Sequence, residues 1–142
     1  MLKYTFLTDA FYQDYANCTE IEKKRFRPHV QLTLNVNGML WCIPMRSRIM
    51  HPNAYMTDAQ NRCGVDFSKA VAILDAQRYL DANEKPRIRK DEFDALRGKE
   101  HIILQRFMKY IKDYKKAKER IDIPRNANLV KMSTLQYFED YI

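Results

Sequence analysis

At 142 residues the chain fits a single domain, 1–142, long enough to bury roughly 68–70% of its unfolded surface without disulfides or metal. Its 46% hydrophobic, 30% charged and 12% aromatic residues exclude a disordered chain, and no apolar run reaches the ~18 residues that mark a membrane helix. Twenty-five basic against 18 acidic residues leave a charge of +7, which suggests an anionic partner, most often nucleic acid.

In chain order, KYTFL near the start reads as a short strand. Thr8 or Asp9 caps a helix over AFYQDYANC that closes between Asp14 and Cys18. A charged turn, EIEKKRFRP, follows. Val30, Leu32, Leu34 and Val36 then alternate with polar residues, which predicts a strand. Asn37-Gly38 suits a two-residue type I′ turn, and the return strand, Met39–Met45, is apolar on both faces. A polar loop is expected from about Arg48 to Gly64. VDFSKAVAIL reads as one further strand, DAQRYLDAN as a short helix and EKPRIRK as a connector. Asp91 is placed to cap a long helix running from Glu92 toward Arg120, with a break at Gly98. Along it Ile103, Phe107, Tyr110, Ile111 and Tyr114 form an apolar stripe. Ser133 with Gln136 has the capping-box spacing before TLQYFEDYI. Strands mixed with segregated helices make the fold class α+β.

The cysteines, Cys18, Cys42 and Cys63, are odd in number and lack metal-ligand spacing, so they read as small core residues. The opening MLKYTFLTDA lacks the marks of a secretory signal. A cytoplasmic protein without metal or cofactor is expected.

The two-residue turn fixes the hairpin register. Val36 faces Met39, Leu34 faces Trp41 and Leu32 faces Ile43. Continued, His29 meets Arg46, Pro28 meets Ser47 and Arg27 meets Arg48. Pro44, which has no N–H, is a place where a bulge could shift that register. The hairpin end thus gathers Arg27, His29, Arg46, Ser47 and Arg48, with His51 a few residues on. Like charges set opposite one another call for an anion between them. A phosphate fits, because the guanidinium fork matches it. Such a cluster suits metal-free RNA cleavage, in which the 2′-hydroxyl attacks the neighbouring phosphorus. Histidine moves protons near neutrality, while arginine and a serine hydroxyl stabilise charge on the phosphorane. The ordinary alternative is a solvated loop with a structural histidine.

At these residues RPHVQLTLNVNGMLWCIPMRSRIMH, GVDFSKAVAI and LRGKEHIILQRFMKYI resemble the toxins of type III toxin–antitoxin systems. The likeness is to the ToxN/AbiQ-like group, nearest its CptN and TenpN branches, and covers about 7–138. It implies a twisted, barrel-like antiparallel sheet with a Kid/MazF-like core and surrounding helices. It implies a cytoplasmic, metal-independent endoribonuclease that leaves a 2′,3′-cyclic phosphate and a 5′-hydroxyl. It further implies inhibition by a repeat RNA antitoxin folded into pseudoknots, closed toxin–RNA assemblies and a role in phage defence. Position by position, Ser47 matches the family's strand-end serine, Arg46 stands where some members have threonine, Arg27 takes the place of a lysine, and His51 matches a histidine of the nearer branches. Lys69 matches a family lysine of structural or phosphate-binding role. Lys23 stands where ToxN has a tyrosine, so the general base stays open.

Between Arg106 and Arg120, seven basic residues face only Asp113 and Glu119. Lys109, Lys112 and Lys116 fall with Arg120 on one helical face, either a solvated surface or a track for antitoxin phosphates. A non-catalytic RNA- or DNA-binding module, or an interaction protein with incidental charge, are the other classes open to this sequence.

Overall fold

The computed structural model describes residues 2–23 and 28–142. Strand β1 (Lys3–Thr5) leads into helix α1 (Asp9–Asp14), whose first turn is capped by the Thr8 hydroxyl accepting from the Phe11 amide at 3.3 Å. The hairpin follows as β2 (Gln31–Val36) and β3 (Met39–Arg46) in the expected register. Asn37 and Gly38 have φ of 51° and 85°, the positive values that a type I′ turn demands.

Pro44 causes no bulge. It lies opposite Gln31, and the ladder continues beyond it through Met45 N–H donating to Val30 O at 2.8 Å. Alternate residues of β3 bond to alternate sides, so Pro44 turns its missing donor away from β2. On that side β3 changes partner, from β6 (Val71–Ala72) at Trp41 and Cys42 to β5 (Cys63–Asp66) at Met45 and Arg46. The proline fills the gap between two partners.

Two expectations are corrected here. Residues 48–64 are not all loop, because β4 (Ala54–Asp58) pairs antiparallel with β5. Residues 65–74 are not one strand: β5 ends at Asp66 and a 3₁₀ turn (Phe67–Lys69) intervenes before β6. Asp66 causes the break, since its carboxylate accepts from the Ser68 amide at 3.0 Å and closes a turn that competes with extension. The resulting antiparallel sheet has the order β1-β2-β3-β5-β4 with β6 on β3, and it does not close into a barrel. Gly64 is required at the crowded β4–β5 pairing, where a Cβ would lie 2.3 Å from Tyr55 O.

The helices are α2 (Ala76–Tyr79), α3 (Lys90–Leu96), α4 (Glu100–Glu119) and α5 (Pro124–Met132), the last unforeseen. The expected long helix is therefore two, separated at Gly98. Asp91 is not its cap, because α3 starts one residue earlier and Arg89 precedes it with no side-chain cap bond. The Ser133–Gln136 pair does cap, with the Ser133 hydroxyl accepting from Leu135 N at 3.1 Å, but the turn it opens is 3₁₀. The α4 stripe buries Ile103, Phe107, Tyr110 and Tyr114, and Trp41 meets Phe107 edge-on at 5.4 Å. One hydrophobic cluster runs from Leu7 to Phe138, consistent with a single folded unit. Cys42 is fully buried within it, and burial pushes its thiol up to about 12, so it stays protonated. Among the described residues no helix is long and apolar enough to cross a membrane.

Candidate active site at the hairpin end

The register puts Arg46 opposite Gly64 on β5, and Asp66, two residues on, lies diagonal to Arg46 on the same sheet face. The Asp66 side chain is fully buried and is the hub of the site. It pairs with the Arg46 guanidinium. Its Oδ1 accepts from the Ser68 hydroxyl at 2.7 Å and stands 3.1 Å from His51 Nε2. Burial pushes the Asp66 pKa up, but hydrogen bonds from His51 and Ser68 and the charges of His51 and Arg46 outweigh it, so the net direction is down.

Glu22 continues the arrangement. Its Oε1 lies 2.7 Å from Arg46 Nη2, and its Oε2 lies 3.7 Å from His29 Nε2. Thus His29, Glu22, Arg46, Asp66 and His51 form a row in which bases and acids alternate. The row resolves the problem of clustered positive groups: two carboxylates fix Arg46 in place.

His51 is held from both sides. Its Nδ1 accepts from the Asn53 amide at 3.1 Å, which assigns the ring proton of the neutral form to Nε2, facing Asp66 and Ser68. The loop that carries it is pinned by Ile49, which is buried, and by Arg62, whose Nε donates to Ile49 O at 2.6 Å. Ser47 and Arg48 protrude from this loop and are exposed; the Ser47 hydroxyl has no hydrogen-bond partner among the described residues. Arg27 lies outside the described residues. A cleft of about 780 Å³ opens beside the row, lined by His29, Arg46 and Ser47 from the hairpin end and by Glu84, Lys85, Arg87, Ile88 and Arg89 from the connector before α3.

Lys69 is not in the cleft lining. Its Nζ donates to Glu20 Oε1 at 3.3 Å and to Met132 O at 3.1 Å, tying the segment before Glu22 to the end of α5. On α4, Lys109, Lys112 and Lys116 are all exposed; Lys109 pairs with Asp113 at 2.7 Å.

Sequence reasoning gathered His29, Arg46, Ser47 and His51 but missed Asp66, Ser68 and Glu22. The Asp-x-Ser spacing of an Asx turn was the available sign for the first two. Nothing local marked Glu22, whose place depends on tertiary structure. Among the described residues no three His, Cys, Asp or Glu side chains come together in a way that could hold a metal ion. Compared with models of known families, with curated proteins and with solved structures, the chain finds no match.

Proposed function

We propose that the chain is a metal-independent endoribonuclease, the toxin of a type III toxin–antitoxin pair. The observation that carries this reading is Arg46, oriented by two carboxylates between two imidazoles at the wall of a cleft, beside the exposed Ser47 hydroxyl. In the reaction, the RNA 2′-oxygen attacks the adjacent phosphorus and the P–O5′ bond breaks. A proton leaves O2′ and one reaches O5′, giving a 2′,3′-cyclic phosphate and a 5′-hydroxyl. Charge builds on the non-bridging oxygens. Arg46 and Ser47 supply donors for it, and their fixed placement is what makes such donors effective.

The two imidazoles differ. His29 lines the cleft and, among the described residues, pairs with Glu22 at a loose 3.7 Å, so it is the one suited to exchanging protons with RNA. His51 has both nitrogens engaged and acts through Asp66 as a positioning residue. Glu22 is partly exposed, and a substrate phosphate can take its place on Arg46.

A repeat RNA antitoxin, held in a closed assembly through the cleft and the α4 lysines, completes the proposal, along with a cytoplasmic setting, phage defence and a Kid/MazF-like relation of the strands. The test is incubation of the purified protein with RNA in excess EDTA. Cleavage products ending in 2′,3′-cyclic phosphate are expected. RNA that is bound but stays intact, with or without Mg²⁺, would leave a non-catalytic binding module. Activity that EDTA removes and Mg²⁺ restores would overturn the metal-free route.

A further inference from the structure

The wall of the cleft facing the hairpin end is the connector 84–89, which the nuclease reading does not use. It is firmly held. At its start, Asp81 N–H donates to Phe6 O at 2.9 Å, and Asp81 Oδ1 accepts from the amides of Asn83 and Glu84 at 2.9 and 3.0 Å. Pro86 restricts the middle. At its end, Arg89 Nε donates to Glu92 Oε1 at 2.9 Å, anchoring the connector to α3. Arg89 is thereby neutralised, whereas Lys85 and Arg87 are exposed and have no ion-pair partner among the described residues. Phe6, Val30 and, on the connector itself, Ile88 also line the cleft, each half-buried, so apolar surface lies beside the cations; Glu84 and Glu92 line it too, the second paired with Arg89.

We infer that this connector is the second wall of a binding site for an unpaired RNA segment, with a base resting on Phe6, Val30 and Ile88 and a flanking phosphate gripped by Arg87 and Lys85. The occupant follows from charge and shape. Apolar surface beside cations matches a base with a phosphate next to it. A volume of about 780 Å³ is that of a small-ligand pocket, with room for a nucleotide or two. The inference rests on the nuclease reading only for what Arg46 does to the RNA after it binds.

The probe is a fluorescein-labelled 2′-O-methyl hexauridylate, which binds without being cut because the attacking hydroxyl is blocked. Binding is followed by anisotropy at several salt concentrations. The double variant Lys85→Glu/Arg87→Glu is expected to bind at least about tenfold more weakly. Its salt slope should fall by about 0.7, the contribution of the one single-strand phosphate that the pair grips. Ile88→Ser should weaken binding with little change of slope, because it removes apolar surface and no charge. A melting curve equal to wild type confirms that a substitution leaves the fold intact.

Affinity unchanged in the double variant overturns the inference, as does equal competition by a blunt RNA duplex or no binding by the wild type. The two readings fail separately. Hexauridylate binding that depends on Arg87, in a protein that never cuts RNA, sinks the nuclease and keeps this site. Normal cleavage by the charge-reversed protein does the opposite.

Discussion

The hairpin end and the outer face of α4 are both rich in cations, yet they are built on opposite terms. Arg46 is three-quarters buried and held by Asp66 and Glu22, while Lys109, Lys112 and Lys116 stand in solvent, one of them in an i,i+4 pair. Burial makes each contact at the hairpin end consequential, because breaking one partner leaves a charge without solvent to receive it. On α4 the same charges are screened and contribute about 0–1 kcal/mol each to stability. A fixed cation suits chemistry on one phosphate; a row of loose ones suits a long polyanion.

Asp66→Asn gives the strongest test of the difference. It keeps the shape and removes the charge that holds Arg46, so stability should fall by about 3 kcal/mol. The pH dependence follows in sign. The folded-state pKa of Asp66 is lowered, so its contribution is present above the ordinary carboxylate value near 4 and disappears as pH falls through the folded value. Urea unfolding at neutral pH and below about pH 4 should show wild type losing ground to Asp66→Asn on acidification. Parallel curves would mean that Asp66 is not the hub.

Next in size is chemistry without loss of fold. Ser47→Ala and Arg46→Ala should each reduce RNA cleavage on the order of 10²–10³-fold. Ser47→Ala should leave the melting temperature unchanged, since the hydroxyl has no partner among the described residues. Arg46→Ala should also destabilise, because it strands Asp66. His51→Ala should behave like Arg46→Ala, lowering both activity and stability. His29→Ala should lower activity and flatten the pH–rate profile while sparing stability. Wild-type cleavage by folded Ser47→Ala and His29→Ala proteins would place the site elsewhere.

How much of this was legible in the sequence depends on how local each signal is. The hairpin register from Leu32–Ile43 to Val36–Met39 was readable because alternation and Asn37-Gly38 act over neighbouring positions. The Gly98 break and the α4 stripe were readable for the same reason. Strand β4 was hidden because AYMTD is short and three of its five residues carry polar or mixed character. Helix α5 was hidden because PRNANLVKM buries no residue fully, although Pro124 at its first turn is a start signal. At the site, the cations were visible and their carboxylate partners were not. Asp66 looked like a residue within a strand, and Glu22 is brought to Arg46 only by tertiary folding.

The smallest expected effect on the fold is at α4. Reversing Lys109, Lys112 and Lys116 to Glu should change stability by no more than about 0.5 kcal/mol per site, as surface substitutions do. If the proposed RNA antitoxin is the partner, the same change should weaken its binding and flatten the salt dependence, because fewer phosphates are neutralised and fewer counterions released. Ser47→Ala should leave that binding almost intact, since one hydroxyl supplies little of a charge-driven affinity. The pair of measurements separates the two regions by function: loose lysines for holding a long RNA, fixed Arg46 for acting on one phosphate. Unchanged affinity and slope in the triple variant would reduce the α4 face to solvated surface and leave the cleft as the sole RNA contact. In that case Arg46 at the hairpin end and Lys85 and Arg87 on the connector would hold the RNA together, and the double charge reversal on the connector would weaken inhibition as well as substrate binding.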